Sequence, residues 1–274
     1  MRRLSWLGLW LVLAAPAGQA ESLEDATALY QQGDFEGALE LARPLAEAGD
    51  AEAMYALAVM LIEGRGGSSD VASGRQWTEK AAALGHAPAQ HALGLLHIGA
   101  AGEDPDWEKA ATWFRSAAVQ GFAAAEYHLG VLYAEGRGVE RNLVKAGEWI
   151  RRAALQGHGD AVLDYAMMVY RGEGVQRDEA IGAQWLMVAA RQGNPVAQNR
   201  LAHIYVLGRG VEAEPVEAAK WHLLATEAGR PDAELDTFLQ SLSEKQREAA
   251  RAGAESVKAE ALEKQSANGK SPSQ

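Results

Sequence analysis

Residues 125–157 read AEYHLGVLYAEGRGVERNLVKAGEWIRRAALQG, and this stretch decides the fold. Ala125, Leu129, Leu132 and Tyr133 fall at the spacing of one helix face. Gly136 and Gly138 follow the last apolar position, where glycine ends a helix because it takes the left-handed conformation at little cost. Asn142 is a residue type that caps the next helix. That helix carries Trp149 and runs to Gly157. Two antiparallel helices of about 12 residues, with two short turns, account for the segment.

The same segment recurs at a fixed step. Trp77, Trp113, Trp149, Trp185 and Trp221 are each 36 residues apart. Gly49, Gly85, Gly121, Gly157, Gly193 and Gly229 keep that step, as do Ala53, Ala89, Ala125, Ala161, Ala197 and Ala233. Small pairs precede the single glycines: Ala81 and Ala82, Ala117 and Ala118, Ala153 and Ala154, Ala189 and Ala190. Glycine pairs end the first helix at Gly64/Gly66, Gly136/Gly138, Gly172/Gly174 and Gly208/Gly210, with Ala100/Gly102 in the second copy. Asp70, Asp106, Asn142, Asp178 and Glu214 then open the second helix. A constant period of this length marks stacked repeats. The expected fold is all-α, a right-handed α-solenoid of stacked antiparallel helix pairs. A large aromatic once per repeat is expected in the core. Trp107, outside the series, is expected as a single exposed contact.

Five repeats of 36 residues therefore occupy residues 49–230. A looser tetratricopeptide-like hairpin precedes them in residues 21–48, with helices at Leu23–Gln31 and Phe35–Glu47 around a turn at Gly33-Asp34. Capping helices are expected over residues 231–265, where Thr237 breaks the repeat pattern and Ser243 with Gln246 forms a capping box. Residues 266–274 are polar and expected to be disordered.

This pattern resembles the Sel1-like repeat family, a relative of the tetratricopeptide repeat. The matching copy carries Ala125, Leu129-Gly130, Tyr133, Gly136, Gly138-Val139, Lys145-Ala146, Trp149, Ala153-Ala154 and Gly157. The Leu-Gly pair is intact only at Leu93-Gly94 and Leu129-Gly130, and position 133 is Leu61, His97 and Val169 in other copies. The resemblance implies a binding scaffold whose first helices line a concave face. Some secreted members are cysteine-rich and have been described as penicillin-binding proteins or weak β-lactamases. This chain has no cysteine and no Ser-xx-Lys arrangement, so the resemblance extends to the fold and not to that activity.

Arg2 and Arg3, the apolar run Leu4 to Ala15, and Pro16, Gly18 and Ala20 have the layout of a secretory signal peptide, residues 1–20, cut after Ala20. The alternative is an uncleaved anchor. No other stretch is long and apolar enough for a span. Absence of cysteine excludes disulfides and thiol chemistry. The formal net charge is −11, which disfavours nucleic-acid binding. The expected location is periplasmic or secreted.

Catalytic motifs do not emerge: there is no GxSxG, HExxH or Walker loop. Gly64-Arg65-Gly66-Gly67 reads as a helix-end turn. Of seven histidines only His86, His91 and His97 cluster, at steps that do not bring two side chains together. No enzyme activity, metal or cofactor is expected. Binding residues are sought on the first helix of each repeat. One register column is Tyr55, His91, Tyr127, Leu163 and Asn199; the others include Tyr170 and His203. Apolar columns with tyrosine and histidine handles suit an extended peptide or a helix. The partner expected is another protein or peptide. A cell-envelope factor contacting peptidoglycan or its enzymes is the second reading, and a hydrolase the third. The terminal caps favour a monomer.

Overall fold

The computed structural model describes residues 22–100 and 104–268. The segment read as a signal peptide lies outside them, as do residues 269–274. Among the described residues there are fourteen α-helices and no strand. They are α1 (Leu23–Gln32), α2 (Phe35–Glu47), α3 (Ala51–Glu63), α4 (Val71–Ala83), α5 (Ala87–Leu95), α6 (Trp107–Ala118) and α7 (Ala123–Glu135). There follow α8 (Leu143–Leu155), α9 (Gly159–Arg171), α10 (Glu179–Arg191), α11 (Pro195–Leu207), α12 (Pro215–Glu227), α13 (Ala233–Ser241) and α14 (Glu244–Asn268). α5 runs on into a π-type turn, Leu96–Ala100, broken at Gly99. No described helix is long and apolar enough to cross a membrane.

The chain divides into two compact units, one ending at Ala89 and one beginning at Gln90. In the first, α1 packs on α2, α2 on α3 and α3 on α4. In the second, α6 through α12 pack each on the next, and α13 and α14 close on α12. The small-residue series explains why helices pack so closely. Ala81, Ala82, Ala117, Ala118, Ala153, Ala154, Ala189 and Ala190 are all at 3% exposure or less, as are Ala53, Ala89, Ala125, Ala161 and Ala197. Ala233 breaks this series and is exposed, because α13 starts on it, capped by Asp232.

The caps follow the sequence closely. Asp70, Asp106, Asn142 and Asp178 each accept a backbone N–H from the first turn. Glu214 does not, and α12 instead opens on Pro215, whose missing N–H needs no partner there. Ser243 and Gln246 form the expected capping box. α14 continues to Asn268, three residues into the segment expected to be disordered.

The second glycine of each pair has a packing role. A Cβ on Gly138 would overlap the carbonyl oxygen of Trp107, and one on Gly174 that of Leu143. These turns press directly on the first residue of the preceding repeat's second helix, so any larger residue would push the repeats apart. Trp107 is thus part of a repeat junction rather than a lone exposed contact. It is half-buried, with the Arg137 guanidinium 4.8 Å above its ring. Arg65 sits likewise 5.1 Å over Phe35, where Gly66 presses on the start of α2.

The tryptophan series does not fill the core. Trp77, Trp113, Trp149 and Trp185 are half-buried; Trp221 alone is enclosed, at 1% exposure. What the core takes is the next residue. Thr78, Phe114, Ile150, Leu186 and His222 are all at 3% exposure or less. A single step turns a side chain about 100° around a helix, so the tryptophans stand at the border of the buried face. Two of them carry cations there: Lys80 lies 3.9 Å over Trp77 and Arg152 4.6 Å over Trp149.

The second and third repeats also tie the start of their first helix to the end of their second. Gln120 donates to Gln90 at 2.8 Å, and Gln156 donates to the buried Glu126 at 2.7 Å, where Arg152 adds an ion pair at 2.8 Å. In the last repeat the donor position is Ala228. Gln198 Oε1 is accordingly buried without a partner.

Candidate functional site

The first helices of the repeats present the side chains sought as binding residues. Tyr55, His91, Tyr127, Leu163, Tyr170 and His203 are all half-buried, and Asn199 is buried at 8% exposure. The structure pairs the first three with a second series that sequence reasoning missed, the residues just before each first helix. Tyr55 packs on His86 with ring centroids 5.1 Å apart, His91 on Phe122 at 5.3 Å, and Tyr127 on His158 at 4.9 Å. The contact recurs because residue five of one helix lies beside the N-cap of the next. His86 and His158 serve as those N-caps, their Nδ1 atoms accepting from Ala89 and Ala161. The signal was present in the sequence: positions 86, 122 and 158 read His, Phe, His.

In the second unit the rings gather into a continuous patch. His91 lies 5.1 Å from His128 and 5.6 Å from Phe114, and His128 stacks on Phe114 at 5.0 Å. His128 Nδ1 is 2.7 Å from the Ala124 carbonyl and so carries the proton. His91 Nε2, 3.3 Å from the same atom, is then placed to accept from it. Burial, with His128 and His158 beside it, holds the His91 imidazole down at about 4, and burial lowers His128 as well. Both rings are therefore neutral at neutral pH. Tyr127 donates to Asp164 at 3.0 Å. Burial raises Asp164, and burial together with the Asp164 charge raises the Tyr127 phenol.

The remaining residues go elsewhere. Asn199 and His203 both donate to Asp232 Oδ2, at 3.0 and 2.9 Å, while Asp232 Oδ1 caps α13. Those bonds hold the Asp232 carboxyl well below the usual carboxylate range. Asn199 and His203 are thus engaged in closing the array, which the column reading did not anticipate. Tyr170 lies at the far end of α9, and its backbone abuts α10 at Gly182, where a Cβ would come within 2.8 Å of Tyr170 Cα. Leu163 continues the first column without a ring.

The patch holds packed rings, the neutral His91 and His128 imidazoles and one tyrosine–carboxylate bond. Among the described residues no three His, Asp or Glu side chains are grouped to hold a metal ion. Gly64 takes the left-handed conformation as the C-cap of α3, the helix-end turn expected there.

A search of curated proteins finds no match. Among solved structures, a Sel1 repeat protein from Oxalobacter formigenes is 27% identical with a TM-score of 0.71, over 87% of this chain and 97% of that one. A protective antigen of uropathogenic Escherichia coli with the same kind of fold is 26% identical with a TM-score of 0.55, over 88% of this chain and 61% of that one. The family model described as the Sel1 repeat matches residues 51–86, 87–122, 123–158, 159–194 and 195–229. Sel1-repeat proteins are generally non-catalytic scaffolds, and their repeats generally mediate protein interactions. With five consecutive matches over most of its length, the chain belongs to the Sel1-repeat family.

Proposed function

We propose that the chain is a non-catalytic adaptor, working in the periplasm or outside the cell, that binds another protein or peptide along the first helices of its repeats. The observation that carries this is the patch formed by His91, Phe122, His128, Tyr127 and His158, whose rings are half-buried and packed one on the next. Half-buried aromatic rings with polar edges are the side chains that dominate protein interfaces, because they lose little conformational freedom on binding and bury a large area. Export is supported by Arg2, Arg3, the apolar run Leu4 to Ala15 and the small residues before a cut after Ala20.

The test is capture of partners from an envelope extract by the wild type and by a variant with His91 and Tyr127 changed to Ala. Loss of the captured partners with helical content unchanged supports the reading, and retention of all of them sinks it. Sedimentation with purified sacculi separates a protein partner from direct contact with peptidoglycan, since a protein-only adaptor stays in solution.

A further inference from the structure

The first unit contains a cavity of about 380 Å³, lined chiefly by Leu23, Ala26 and Tyr30 of α1, Ala42 of α2, and Tyr55 and Ala56 of α3. Its origin can be read from the 36-residue register. Ala42 and Ala56 occupy the positions that hold Phe114 and His128 two repeats later. In the second unit those two rings stack at 5.0 Å and fill the corresponding space. In the first unit methyl groups stand in place of those rings, Ala42 buried at the floor and Ala56 half-buried at the wall of the cavity. α1 is also 10 residues long where α3 is 13, about 4.5 Å shorter along its axis. The open volume falls in the ordinary range for a ligand site.

The rim is acidic. Glu52 lines the cavity, and Glu24 and Asp50 line a second hollow that shares Leu23, Thr27 and Glu52 with it. Tyr55 and His86, ring on ring at 5.1 Å, form one wall. Arg65, which could offset the charge, is turned onto Tyr30 and Phe35 and bonded to Glu63.

We propose that this cavity receives an aromatic side chain of a partner peptide, with a lysine or arginine next to it pairing with Glu52. The missing rings define the shape of the occupant, and the carboxylates define the charge of its neighbour. The inference rests on the adaptor reading only in taking the ligand to be a peptide.

The probes are three fluorescein-labelled nine-residue Gly/Ser peptides with a central Phe, flanked by Lys, Ser or Glu, read by anisotropy. The Lys-flanked peptide should bind at least tenfold tighter than the Glu-flanked one. The double change Ala42→Phe with Ala56→His rebuilds the stacked pair of the second unit and should weaken binding at least tenfold. Glu52→Lys should invert the flank preference, an outcome that misfolding cannot produce. Equal binding of all three peptides, no binding of any, or binding unaffected by the rebuilt pair overturns the proposal. Binding lost with His91→Ala/Tyr127→Ala but kept with the rebuilt pair moves the peptide to the ring patch, which overturns the cavity and leaves the adaptor reading standing. Phenethylamine competing as well as the peptide does would make the occupant a small amine and overturn the peptide assignment.

Discussion

The third and fifth repeats, residues 123–158 and 195–229, carry their tryptophan at the same position, yet the tryptophan does different things in each. Trp149 stands half-exposed at the border of the core with Arg152 over its ring, and Arg152 reaches on to the buried Glu126. Trp221 is fully enclosed, on the helix against which α14 packs. Ala250 and Ala254 of α14 are buried, and Gly253 lies over the stem of Lys220, where a Cβ would come within 2.8 Å of its Cδ. The end of the array must be covered, and α14 covers it. The covering leaves loose ends: Trp221 Nε1, His222 Nδ1 and Gln198 Oε1 are buried without protein partners. A repeat position thus takes its role from what packs beside it, not from residue type alone.

The largest effect should separate the two tryptophans. Trp221→Ala should cost about 3–5 kcal/mol, the range for emptying a buried aromatic site, and Trp149→Ala about 1–2 kcal/mol. Denaturant melts of the two variants check this, and equal losses would break the comparison. Next comes the buried carboxylate. Glu126→Ala strands Arg152 and Gln156, and should cost about 2 kcal/mol in the same assay. Ala228→Gln has the opposite sign. It places in the fifth repeat the donor that Gln156 supplies in the third, so it should stabilise by about 1 kcal/mol. A neutral or destabilising result would mean that Gln198 Oε1 already has a partner in solution.

A pH effect is expected at the ring patch. The folded His91 imidazole titrates near 4 instead of near 6.5, so between those values the unfolded chain binds more protons. Stability should therefore fall as pH drops from about 7 towards 4. Melting temperatures measured across that window should fall less for His91→Phe than for the wild type.

The fold was legible because the repeat is exact. Glycine and alanine series at one step left a single arrangement of helix pairs, and Asp70, Asp106, Asn142 and Asp178 marked helix starts that the structure confirms. The tryptophans misled for a specific reason. A conspicuous residue at a regular step looks like core, but Phe114, Ile150 and Leu186, one place later, lie on the buried face and vary in type. The patch was legible in part. Tyr55, His91 and Tyr127 were found as a column, but their partners His86, Phe122 and His158 are the last residues of the same repeats, set just before the first helix of the repeat that follows. That contact depends on how repeats stack, which no single helix pattern contains. Asn199 and His203 could not be placed without Asp232, which lies beyond the last repeat.

The measurement that bears most directly on the adaptor reading is photo-cross-linking in intact cells. A benzoylphenylalanine at Tyr127 is compared with one at Arg151, an exposed position on α8. The account predicts a discrete cross-linked partner from position 127 and none from 151. The same partner from 151, with nothing from 127, would contradict it.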